Sequence, residues 1–227
     1  MNKEWSDLNK SFQVQLRKES TFPDGINTLM TLRQILMDEL FHMKQELRRE
    51  DFNVMPFPNA NGYHSKTIAY SIWHIFRIED IVAHSLIQND DEVFKTYQDK
   101  SGASIITTGN ELVGRQIEEF SREIDLDALY AYAAAVKSST GELLKQLSYR
   151  DLSRKFNEAD KARLRELQVV STDENSCWLI DYWCGKDIGG LLRMPFSRHW
   201  IMHIEASLRI KNKFIRDRRK QPCMKEC

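Results

Sequence analysis

Glycine and proline are scarce, with 9 and 5 in 227 residues. So few turn-forming residues exclude a fold built from many short strands and point to long helices. Cysteine is scarcer still, at four. Cys177 and Cys184 lie seven apart, Cys223 and Cys227 fall in a polar tail, and no CxxC occurs. This arrangement gives neither a disulfide framework nor a zinc–thiolate site, and free thiols in a reducing cytoplasm are the expectation. Net charge is absent as well, because 33 Lys and Arg balance 33 Asp and Glu. A balanced chain offers no general attraction for nucleic acid. The basic stretch "KNKFIRDRRK" (211–220) reads as a solvated helix end, its cations favoured by the helix dipole. No apolar run reaches the ~18 residues of a membrane span. The polar start "MNKEWSDLNKSF" has no apolar segment typical of a signal peptide.

Amphipathic periodicity is what the chain has in quantity. Leu29, Leu32, Leu36, Leu40, Met43 and Leu47 recur at spacings of three and four, predicting a helix over 26–49 with Asp24 as a cap. A loop follows at 51–63, carrying two prolines and three asparagines. Ile68, Ile72, Ile75, Ile78, Val82 and Leu86 predict a second helix over about 65–88, ended by "QNDDE". The segment 99–110 reads as a connector with room for a short extended piece, and 111–123 as a short helix. A third long helix spans 125–147, with Asp125 or Asp127 as its cap. The charged stretch 150–168 reads as an exposed helix or an irregular excursion, and the last long helix as about 196–216. Four long amphipathic helices without an alternating strand predict an all-α helical bundle, with 3–19 packed outside as a further helix.

The chemistry resides in three of the six histidines. "SRHWIMHIEASLRI" (197–210) puts His199 and His203 one turn apart, about 40° around the axis and roughly 6 Å along it. Chance placement of six histidines gives well under one such pair. Their arc also holds Phe196, Ala206, Ile210 and Phe214, so it faces the core, while Arg198, Glu205, Arg209 and Arg216 cluster elsewhere. In "SIWHIFRIED" (71–80), His74 shares its face with Tyr70, Ser71, Ile78 and Ile81. Three neutral imidazoles can hold a divalent ion and leave a position open. For His74 alone, a hydrogen-bonded core histidine is the alternative. Trp200 stands where an HExxH protease needs glutamate, and "ELFH" (39–42) supplies one Glu-x-x-His pair where a di-iron bundle needs two. His42, His64 and His84 read as non-ligands. Tyr70 and Glu79 are candidates for proton handling, with a structural role as the stronger expectation for each.

"SIWHIFRIED" paired with "RHWIMHIEASLRIK" resembles the DinB/YfiT-like superfamily over about residues 24–216. The resemblance implies one DinB-like domain over 1–227, a four-helix bundle with an extra N-terminal helical segment. It further implies that a divalent ion, zinc or nickel, is held by His74 on the second helix and His199 and His203 on the fourth. "HWIMHIE" also looks like the HxxxHxE element in the DinB-like half of iron-dependent sulfoxide synthases, but this chain is too short for their second domain. The "HRGQ" ending of many members is replaced by "HIEASLRI". The implied function is a metal-dependent enzyme, a thiol S-transferase or hydrolase acting on a small molecule, with a low-molecular-weight thiol as partner and homodimerisation as in relatives. A non-catalytic bundle that binds a small molecule or a protein is the alternative.

Overall fold

The computed structural model describes residues 2–220, so Cys223 and Cys227 lie outside the described residues. The fold is all-helical. Among the described residues no strand forms, and the one β-bridge joins Lys155 and Asp187. In chain order the helices are α1 (Lys3–Gln15), α2 (Phe22–Glu46), α3 (Ile68–Asp80), α4 (Gln98–Ser101), α5 (Arg115–Glu123), α6 (Leu126–Gln146), α7 (Glu158–Glu166), α8 (Trp178–Cys184), α9 (Ile188–Arg193) and α10 (His199–Lys220). Two π-helical stretches extend them: Ile81–Gln88 continues α3, and Met194–Arg198 leads into α10. No described helix is long and apolar enough to cross a membrane.

Local chemistry sets the boundaries. Helix α2 begins at Phe22, four residues before the expected start, because Pro23 presets the first turn; Asp24 lies inside that turn rather than capping it. The second helix begins later than expected, since the Thr67 side chain accepts the Tyr70 amide hydrogen at 3.1 Å and caps it. Asn89, at φ 60°, ends its π-helical extension. Asp125, not Asp127, caps α6, accepting from the Ala128 amide at 2.8 Å. The 150–168 stretch forms α7, which Asn157 caps and Leu164 anchors by full burial. Helix α10 outruns its expected end at 216, its last turns steadied by the Lys213–Asp217 pair at 2.8 Å and by Arg218 on Asp51.

Helix α3 packs against α6 and α10, and α2 packs against both of those, so the four long helices enclose the core between them. Helix α1 lies along the outside of α2, as expected for 3–19, with Trp5 and Phe12 buried. Each such aromatic contributes about 1.5–3 kcal/mol of burial energy. Every residue of α3 is buried, polar ones included. A helix buried all round must find internal partners for its polar groups. Where those partners lie decides what the site can do.

Candidate metal centre

Residues 106–109 run as a strap across α3 and supply carbonyls to its side chains. Arg77 Nε donates to Ile106 O at 3.1 Å and Trp73 Nε1 to Thr107 O at 3.1 Å. His74 Nδ1 lies 2.8 Å from Thr108 O, and the Tyr70 hydroxyl donates to Gly109 O at 2.9 Å. Gly109 makes the strap possible: its φ is +80°, and a Cβ there would come within 3.1 Å of the Tyr70 ring. The 99–110 connector begins in α4 and runs on as irregular backbone, with no extended piece paired to a strand, because the carbonyls of 106–109 are taken by side chains. The bond to Thr108 O fixes the His74 tautomer. Nδ1 carries the hydrogen, and Nε2 keeps its lone pair for a ligand.

The other two rings come from the start of α10, delivered directly after the π-helical turn over Met194–Arg198. Ring centroids stand 5.0 Å apart for His74 and His199, 4.8 Å for His74 and His203, and 4.7 Å for His199 and His203. One nitrogen from each ring falls within 4.8 Å of the others, and all three residues are buried. The sequence-expected ligands are thus brought together from helices 125 residues apart in the chain.

Electrostatics keeps all three neutral. Burial pulls His74 down to about 4, the Lys66 ammonium adds to the fall, and the Thr108 carbonyl opposes it. Burial holds His199 well below the usual imidazole range, reinforced by His74. His203 falls in the same way, through burial and then through His199, His74 and Lys66. Three neutral rings offer lone pairs without first having to lose a proton. Two buried atoms, His199 Nδ1 and His203 Nδ1, have no hydrogen-bond partner among the described residues. Such orphans cost free energy unless something supplies a partner. A divalent ion suits this donor set.

The remaining histidines are elsewhere. His84 is enclosed, with Nδ1 2.7 Å from Asp90 and Nε2 2.9 Å from Ser139. His42 is exposed and His64 borders a separate surface groove. Tyr70 and Glu79 are committed to structure. Burial raises the Tyr70 phenol far above its usual range and its hydroxyl is spent on Gly109. Glu79 receives both Arg33 guanidinium nitrogens at 2.6 Å and Trp200 Nε1 at 2.8 Å. Glu205 accepts from the Asn2 amide at 2.5 Å, away from the rings.

The cluster forms one wall of a cavity of about 520 Å³. Sequence reasoning missed most of its lining. Helix α8 contributes Trp178, Tyr182 and Trp183, and the approach to α3 contributes Tyr63 and Lys66. The aromatic density of "CWLIDYWC" (177–184) was the available signal, though nothing local says which wall it forms.

No protein-family model matches the chain, and no curated protein matches it. The DinB/YfiT-like resemblance stands on the placement of the histidines.

Proposed function

We propose that the chain is a metal-dependent enzyme of the DinB/YfiT-like kind, with α2, α3, α6 and α10 as its four-helix bundle and His74, His199 and His203 as ligands of one divalent ion, zinc or nickel. The observation that carries this reading is the convergence of three buried, neutral imidazoles, two of them with orphaned nitrogens, on the wall of a cavity large enough for a small molecule. An ion held by three imidazoles keeps a coordination position for a water or thiol and lowers the pKa of the group that reaches it. The protein's own residues hold, orient and exclude. The Thr108 carbonyl orients His74, and the α8 aromatics shield the cavity. Thiol transfer or hydrolysis is the reaction this reading assigns to the site.

One observation favours a second reading. Tyr70 and Glu79 are both engaged, and among the described residues no carboxylate lines the cavity, so no carboxylate base is at hand. A ligand-binding bundle without catalysis needs none. Cobalt substitution separates the two. If the site is catalytic, azide or a small thiol shifts the visible spectrum of the cobalt form, and a screen with low-molecular-weight thiols then identifies the transfer. A cobalt spectrum indifferent to both ligands favours the binder.

A further inference from the structure

The cavity over the three histidines is apolar in body and one-signed in charge. Trp178, Tyr182, Trp183, Leu179, Met194 and Pro195 make its bulk. Part of its polar lining outside the histidines is spent internally. The Tyr70 hydroxyl donates to Gly109 O at 2.9 Å and the Ser65 hydroxyl to Gly62 O at 3.2 Å. Two donors remain. Asn110 accepts the Thr108 hydroxyl on its amide oxygen at 2.8 Å, which leaves its NH2 without a partner among the described residues. Lys66 lies 4.8 Å above the Tyr70 ring and forms no ion pair among the described residues. Its ammonium is close enough to depress both His74 and His203, and its own pKa is lowered by burial alone, with no carboxylate to restore it. Glu111, the acid that acts on Tyr70, is outside the lining and is held by the hydroxyls of Thr107 and Ser176.

A partly buried ammonium without an ion-pair partner among the described residues, lining the same cavity as a free amide NH2, calls for an anion from solution. One ammonium and one amide NH2 match the two oxygens of a carboxylate. We infer that the cavity, taken as the metal-dependent site proposed above, selects a small carboxylic acid with an apolar or aromatic body. Lys66 and Asn110 hold the carboxylate, the α8 aromatics hold the body, and the rest of the molecule faces the histidines. The cation–π contact with Tyr70 and the absence of a lining carboxylate among the described residues keep Lys66 ready for that role.

Three probes of one shape decide this: 3-phenylpropionate, 3-phenylpropanol and 3-phenylpropylamine. Their binding is followed by tryptophan fluorescence on the full chain, once after chelation and once loaded with zinc. Trp178 and Trp183 line the cavity and report occupancy. The acid binds about tenfold more tightly than the alcohol in the chelated protein, the ratio expected of one charge-assisted hydrogen bond, and the amine binds worst. Lys66→Met, which keeps the stem and removes the charge, erases the preference; Lys66→Arg retains it; Asn110→Leu reduces it. Lys66 precedes the cap of α3 and is not part of the hydrophobic core, and circular dichroism checks that each variant folds. Equal affinities for acid and alcohol, no saturable binding of any probe at millimolar concentration, or an acid preference that survives Lys66→Met would each overturn the assignment. A preference seen only with zinc and unmoved by Lys66→Met would assign the anion to the ion, leaving the metal reading intact. Selectivity in a protein that takes up no metal would do the reverse.

Discussion

Two buried polar clusters sit on α3 and behave oppositely. One is closed. Arg77 pairs with Glu92 at 2.9 Å and Asp80 at 3.3 Å, and Asp80 also accepts from Tyr132 at 2.8 Å and from the amides of Val93 and Phe94 at 2.9 Å each. His84 joins Asp90 and Ser139 beside it, and Arg33 with Glu79 forms a second closed pair nearby. The other cluster is open. His74, His199 and His203 have no carboxylate among them, two orphaned ring nitrogens and a cavity alongside. The difference separates structure from chemistry. A closed network has satisfied every donor and fixes the helices; an open one retains capacity for something that arrives.

The largest effect should come from breaking a closed pair. Glu79→Ala strands the Arg33 guanidinium in the core and costs about 3–5 kcal/mol in urea unfolding of metal-free protein. His199→Ala strands no charge and costs about 1 kcal/mol, the middle of the ordinary range. Comparable losses would erase the distinction. Next, zinc at a hundredfold excess over Kd adds about 2.7 kcal/mol to the stability of wild type. That gain vanishes in the His199→Ala/His203→Ala double variant, and His74→Ala loses most of it because His74 ties α3 to α10. A full thermal shift in His74→Ala would remove α3 from the site.

A smaller effect tests the strap. Gly109→Ala forces a side chain into a positive φ and against Tyr70, which displaces the Thr108 carbonyl from His74. Metal affinity then falls by about 10–100-fold, the usual cost of losing a ligand's orienting partner. Unchanged affinity in a calorimetric titration would show that the strap does not orient the ring. The smallest effect is in pH. His74 titrates near 4 when folded and near 6.5 when unfolded, so between those values the unfolded chain binds more protons. Stability of the metal-free protein is therefore whole above about pH 6.5 and is lost as pH falls toward 4. Asp80, raised by burial, acts in the opposite direction, so the informative quantity is the difference between wild type and His74→Gln. Wild type should lose stability relative to His74→Gln as pH falls from about 6.5 toward 4; parallel profiles would mean that His74 is not held neutral by burial.

Local geometry made half of the cluster legible in advance. His199 and His203 share one helix, so their spacing alone set their direction, and the face of His74 was readable from the isoleucines around it. That the two helices meet at these three rings is a product of packing, which periodicity does not encode. The Arg33–Glu79 pair, 46 residues apart, was invisible for the same reason, and Glu79 therefore stood as a proton-handling candidate. The strap is backbone chemistry: Thr108 contributes a carbonyl, which any residue carries, and Gly109 was its single visible mark. Lys66 and Asn110 lie in segments read as helix edge and connector, where sequence assigns no direction to a side chain.

Zinc titration of chelated protein, followed by calorimetry on wild type, His84→Ala and His199→Ala/His203→Ala, tests the open-cluster account most directly. About one ion per chain should bind wild type and His84→Ala alike, since His84 belongs to the closed network, and the double variant should take up none. Retained stoichiometry in the double variant, or none in wild type, would contradict it.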